Sequence, residues 1–224
     1  MIRSLTTVRR AAVAVVSLLL FAQLAPNIAL ACEGAAVEAH WYKGGVKLAE
    51  SGEAGAFNVS TGTGGKEFKI EDKETPQEIA CKMEDSGKIW NPVGGGKGNG
   101  KITSVTFTKC KSILCAAESE LKAKGLPWSM LLVSGKPIKT SIANMELAIF
   151  CEKREEVKYT GTVVIPILNG AGVGEAACTE STHTTFMQFA KAPLRSPANK
   201  FGELEGEDCI WGAAANEKVT VEEP

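Results

Sequence analysis

The chain has 224 residues, 25 Lys+Arg against 26 Asp+Glu, 44% hydrophobic residues and only 2 His. The near-neutral balance excludes the basic face that binds nucleic acid by releasing phosphate counterions, and the apolar content excludes wholesale disorder. Two histidines and three aspartates (Asp72, Asp85, Asp208) leave little material for a metal centre or a His-based catalytic apparatus, and no cofactor is expected.

Residues 1–31 read as a signal peptide. Arg3, Arg9 and Arg10 form a basic start, Ala11 to Ala22 is an apolar run, and Ala29-Leu30-Ala31 has the small-x-small pattern of a cleavage site. The competing reading is an uncleaved anchor. Gln23, Pro26 and Asn27 interrupt the apolar run, however, and a spanning helix wants about 20 largely apolar residues. Cleavage removes three Arg and no acid, leaving 22 basic and 26 acidic residues, a net charge of −4. The expected location is outside the cell or on the outer face of the cytoplasmic membrane. Contact with the membrane would run only through the signal peptide or a lipid on Cys32.

Cys32 follows the cleavage motif and is the candidate lipidation site. Ala29-Leu30-Ala31 fits a lipoprotein signal poorly, because Leu is usual where Ala29 stands. Cysteine parity favours lipidation. Seven Cys follow residue 31, and an odd number in an exported chain leaves one thiol over. Ordinary cleavage would leave Cys32 free or joined to another chain.

The other six, Cys81, Cys110, Cys115, Cys151, Cys178 and Cys209, are expected to form disulfides. Fifteen connectivities are open. Proximity in sequence favours Cys110 with Cys115 and Cys178 with Cys209, which leaves Cys81 with Cys151. A metal cluster would want CxxC spacing or nearby His, and the chain has neither.

The exported portion, residues 32–224, reads as antiparallel β-structure. Lys101 to Cys110 (KITSVTFTKC) is the clearest strand, with Thr103, Val105 and Phe107 on one parity and Ser104, Thr106 and Thr108 on the other. In chain order, similar short runs occupy 56–59, 67–70, 78–83, 88–90, 145–151, 157–167, 182–190, 209–212 and 218–221. Turn signals at Gly44-Gly45, Gly62–Gly65, Asn91-Pro92, Gly94–Gly100 and Asn169-Gly170 punctuate them. The pattern predicts a mainly β fold with antiparallel sandwich-like or barrel architecture. Ala116 to Lys124 carries helix formers followed by Gly125, and 145–153 also has helical propensity, so at most one short helix is expected. The charged run Lys153–Glu156 is either a border between two packed halves, 32–152 and 153–224, or a solvated turn between strands.

Several motifs suggest chemistry. Gly95 to Lys101 matches GxxxxGK, but Ile102 stands where a phosphate loop needs Ser or Thr, and the segment opens a strand instead of a helix. No GxSxG accompanies His183, and Ser181 and Thr182 lie too close to it to form a triad. No catalytic residue is therefore assigned. A pair of carboxylates for glycoside hydrolysis cannot be located among the 23 Glu by spacing. His40-Trp41-Tyr42 is an aromatic cluster, which makes Trp41 and Tyr42 candidate ligand contacts by stacking. The alternative is that they begin the first strand and plug one end of the core.

The string His40-Trp41-Tyr42, Gly45 to Leu48, Ile79-Ala80-Cys81, Gly87 to Pro92, Gly94–Gly96, Thr106 to Cys110 and Leu126-Pro127-Trp128 resembles a group of uncharacterised exported proteins of high-GC Gram-positive bacteria. The resemblance covers roughly residues 39–151, and the chain departs from it at Cys32. It implies an extracytoplasmic β-rich domain with paired cysteines and no assigned activity. The leading expectation is a non-enzymatic secreted or envelope protein that binds or scaffolds an extracellular partner. A carbohydrate-binding module using surface aromatics, with a glycan as partner, and a secreted hydrolase with a carboxylate pair are the alternatives.

Overall fold

The computed structural model describes residues 37–63, 66–74, 78–113, 115, 118–170, 178, 185–197, 201–213 and 217–224. Cys32, Ser181, Thr182 and His183 lie outside them. In chain order the strands are β1 (His40–Lys43), β2 (Val46–Lys47), β3 (Phe57–Thr63), β4 (Phe68–Asp72), β5 (Glu78–Trp90), β6 (Asn99–Ser112), β7 (Ser119–Lys124), β8 (Trp128–Val133), β9 (Lys139–Cys151), β10 (Arg154–Asn169), β11 (Thr185–Arg195), β12 (Phe201–Gly212) and β13 (Glu217–Glu222). The only other regular element among the described residues is one 3-10 turn at Glu53–Gly55.

All strand pairings are antiparallel, and the mainly β expectation holds. Strands β3 and β4 run in line along β5, as β7 and β8 run in line along β9. Each such couple is one interrupted stave. The wall then passes β3/β4, β5, β6, β8, β9, β10, β11 and β12. Strand β12 returns to pair with both β3 and β4 as well as β11, so the sheet closes on itself. The sandwich-like layers are thus opposite walls of one eight-stave, up-and-down circuit. Closure removes most of the edges that an open sheet would expose.

The alternation read in the sequence sorts side chains across this wall. On β5 every second residue from Ile79 to Ile89 is buried, while Lys82 and Glu84 point out. Phe68, Ile70, Ile79, Ile89, Leu132, Ile142, Leu147, Ile165 and Ile167 fill the interior, all with 2% exposure or less. An apolar lumen with charged outer positions is the reverse of a lipid-facing barrel. Among the described residues, no helix is long and apolar enough to cross a membrane.

One end of the barrel is plugged. Strand β13 leaves β12 through a hairpin and pairs with β1, His40 opposite Glu222 and Lys43 opposite Val219. This pair lays Trp41, Val219 and Val221, each 1% exposed or less, over the opening. The Trp41 indole donates to the Asn99 carbonyl at 2.9 Å. The Asn91 amide accepts from the Trp41 N–H at 2.9 Å and donates to the Trp41 and Leu48 carbonyls at 3.0 Å. Gly98 must be glycine here, because a Cβ would sit 2.7 Å from the Trp41 ring and 2.8 Å from Leu132.

Several expectations are corrected. Ser119–Lys124 is strand β7, not a helix, because Leu121 turns into the core while Glu120 and Lys122 face out. Residues 145–151 belong to β9, as their reading as a strand run has it. The runs 78–83 and 88–90 are one strand, β5. The 153 region is the turn of the β9–β10 hairpin, Arg154 opposite Cys151, which is the reading of that charged run as a turn between two strands.

The six inner cysteines are paired, as expected, and Cys178–Cys209 is the pair anticipated. The other two pairings differ: Cys81 joins Cys110 and Cys115 joins Cys151. Strand pairing explains the difference. The β5–β6 register puts Ala80 opposite Lys111 and Lys82 opposite Thr108, which brings Cys81 beside Cys110. Cys115 lies in the β6–β7 connection, next to the end of β9. Three disulfides are the mark of an oxidising compartment.

Candidate functional site in the barrel wall

The joint between β6 and the β7/β8 stave lacks a continuous ladder, as does the β10–β11 joint, which pairs at Thr160–Arg195 and again only from Ile167. Strand β6 pairs with β8 only through Asn99–Ile102. Beyond that, Thr103–Lys111 is held by β5 on one side and by no described strand on the other. Strand β7 faces this free edge but pairs only with β9. Two local features account for the splay. Lys109 has φ +53° in a register shift beside the Cys81–Cys110 bridge, and such a bulge bends its strand. Gly125, with φ +63°, breaks β7 from β8.

The result is an open seam, a cleft of about 500 Å³ lined by Val105–Cys110 and Ser119–Ala123. That volume falls within the range of ordinary ligand clefts, about 300–1,000 Å³. Leu121 is buried at its floor, and Phe107 is half-buried with its ring centroid 5.4 Å from that of Phe68. Inward-facing Val105, Phe107 and Ala123 are only partly covered, so the seam shows the apolar interior to the outside.

The rim is basic. Lys82, Lys109, Lys111 and Lys122 are exposed and Lys124 is half-buried. Lys82, Lys109 and Lys111 make no ion pair with a described acid. Lys122 bonds Glu120 at 2.7 Å and, like Lys124, lies over the Phe150 ring, at 4.5 and 5.3 Å. Glu84, Glu118 and Glu120 are nearby acids, and Lys124 pairs with Glu155 at 3.9 Å.

The residues singled out by sequence fall elsewhere. Trp41 is fully buried as the plug, so its reading as a stacking surface is corrected. Tyr42 is half-buried beside it. Burial and the Lys47 charge lower the pKa of His40. The glycine-rich segment serves packing at Gly98, and its Lys101 bonds Glu53 at 2.6 Å.

A carboxylate pair does exist, but it is Asp85 and Asp208. Both are buried, at 7% and 0% exposure. Asp85 stands opposite Thr61, whose hydroxyl accepts its backbone N–H at 3.3 Å. Burial raises the pKa of both acids, and for Asp208 the Asp85 charge raises it further. Beside Asp85 lies a cavity of about 10 Å³, lined mainly by Val59, Ile89, Ile102, Met130 and Ile210. That is room for no more than one water, so no sugar reaches these acids and they do not form a hydrolytic cleft. The spacing of the sequence could not reveal this pair, because its two members meet only when β12 closes against β3. Among the described residues no group of His, Cys, Asp and Glu could hold a metal ion.

No family model matches the chain, and neither a curated protein nor a solved structure does.

Proposed function

We propose that the protein is a non-enzymatic binding protein, exported by its first 31 residues and stapled by disulfides in the extracellular or envelope space. The observation that carries this reading is the open seam: a cleft of ligand size in the barrel wall with an apolar floor and a basic rim. Buried acids enclosed by the core supply no reacting geometry, which disfavours the hydrolase. The burial of Trp41 removes one of the two aromatics on which glycan stacking was based. Lipidation of Cys32 would hold the same barrel at the membrane surface. Mass spectrometry of the mature N-terminus tests that: a free amine on residue 32 excludes the anchor.

The binding reading is tested by NMR shift mapping of the oxidised protein against panels of peptides, glycans and anionic amphiphiles. Shifts concentrated on Val105–Cys110 and Ser119–Ala123 are expected. Ligands that shift only residues away from the seam, or none that bind, would overturn it.

A further inference from the structure

We propose that the seam takes an extended acidic peptide, which adds its backbone to the free edge of β6 and sets its carboxylates against the rim lysines. This rests on the seam being the binding site and names its partner.

The edge argues for a peptide. Among the described residues, Thr103–Lys111 is nine residues of strand held on one side only. Its outward N–H and C=O groups recur with the period of a β-strand, and only another extended backbone matches that repeat, which is the basis of recognition by strand addition. A sugar or a fatty acid would fill the cleft and leave the row of backbone groups unmatched. Alternate side chains of an added strand would point inward, toward the half-covered Val105, Phe107 and Ala123. The others would point outward, beside the lysines.

Charge argues for acidity. From Thr103 to Lys124 four lysines (109, 111, 122 and 124) stand against two glutamates (118 and 120); Lys122 pairs with Glu120 and Lys124 with Glu155, which leaves Lys109 and Lys111 without a described acid, although the chain after residue 31 is net −4. Lysines on an edge discourage neutral strands from adding to it. An acidic strand gains from the same charges, so the rim selects partners as well as attracting them.

Room must be made. Some Cα atoms of β6 and β7 lie within 8 Å of each other, whereas a strand seated between two others needs about 9.6 Å, twice the inter-strand spacing. The seam therefore parts by a few ångströms. Strand β6 is fixed by β5 and by Cys81–Cys110. Strand β7 is held to β9 by its ladder and by Cys115–Cys151 but has no ladder to β6, and it meets β8 only through Gly125, at φ +63°, so β7 moves with β9 as the seam parts.

The test uses the oxidised protein and a blocked seven-residue peptide of alternating Glu and Val, with the Lys–Val counterpart as control. In the free protein, the amides of Thr103–Lys111 that do not face β5 should exchange quickly with solvent. In the saturated complex they should slow by at least about tenfold, the expected mark of a new ladder. The doubly substituted Lys109→Glu/Lys111→Glu protein should bind about tenfold more weakly, as should the native protein when salt rises from about 50 to about 300 mM. Both sites are exposed, so the melting temperature of the variant should stay close to the native one. Equal binding of both peptides, or binding of the Glu peptide with no slowing on β6, overturns the proposal. So does no binding of either at millimolar concentration. If dodecanoate or a glycan shifts the seam while the peptide does not, the partner is wrong and the site stands. If nothing shifts the seam, both fall.

Discussion

Asp85 on β5 and Asp208 on β12 carry two carboxyl groups into the barrel interior beside Thr61, and no described cation offsets them. A buried carboxylate is costly unless paired, so the acids stay protonated to higher pH than exposed ones do. Burial lifts Asp85 to about 6 from an ordinary 3.8. Asp208 is also raised, by burial first and by its neighbour second.

The sign of the pH effect follows. Below about pH 4 both acids are protonated, folded or unfolded, and the barrel has the full benefit. Above that the unfolded chain loses protons that the folded chain keeps, and the benefit is lost as pH rises through the folded values. Urea denaturation should therefore show stability falling from about pH 4 through about pH 6, by roughly 3 kcal/mol for Asp85 at about 1.4 kcal/mol per pKa unit, with Asp208 acting in the same direction. Asp208→Asn should flatten that slope. An unchanged slope in the variant would show that the pair is not its source.

Gly98→Ala should be costly although it adds one methyl group. Its Cβ would press into the Trp41 ring and Leu132, both in the plug. Overpacking of this kind costs about 1–3 kcal/mol, which lowers the melting temperature by roughly 2–4 °C per kcal/mol at this chain length. A red shift of tryptophan emission should accompany it if the plug loosens.

Non-reducing peptide mapping should join Cys81 to Cys110 and Cys115 to Cys151, and a Cys110–Cys115 peptide would contradict the β5–β6 register. Replacing Cys81 and Cys110 together by Ala should cost about 3–4 kcal/mol by the loop-entropy model for a 29-residue separation.

The β character, most strand positions and the identity of the paired cysteines were legible, because alternation survives wherever one face meets a core. Ile79 to Ile89 shows this directly. Leu121 was misread because helix propensity dominates a six-residue strand whose only inward large side chain it is. Connectivity was hidden for a different reason. The Cys81–Cys110 contact depends on register across a hairpin and on the bulge at Lys109, which nearness in sequence does not encode. Closure of the barrel, and with it the seam and the acid pair, depends on β12 meeting β3 and β4 more than a hundred positions away in sequence.

Tyr159→Phe tests the opposite end. The Tyr159 hydroxyl donates to an Asp72 oxygen at 2.8 Å within the core, and Gly202 packs flat on its ring. Burial, then the Asp72 bond, holds Tyr159 un-ionised beyond the usual tyrosine range. Removing the hydroxyl should cost about 1–2 kcal/mol in urea denaturation, the scale of a hydrogen bond to a charged group. The variant should also lose the late phase of the alkaline ultraviolet titration.

Because His40 pairs with Glu222, the first and last strands of the barrel lie side by side, while the β6–β7 connection crosses a joint where β6 and β7 share no ladder. The chain could thus be rewired without disturbing a single stave: a short linker between the present ends, with new termini opened between residues 113 and 118. Such a circular permutant should fold with all its strand pairings intact, and its new ends would flank the seam, a natural place to graft a reporter.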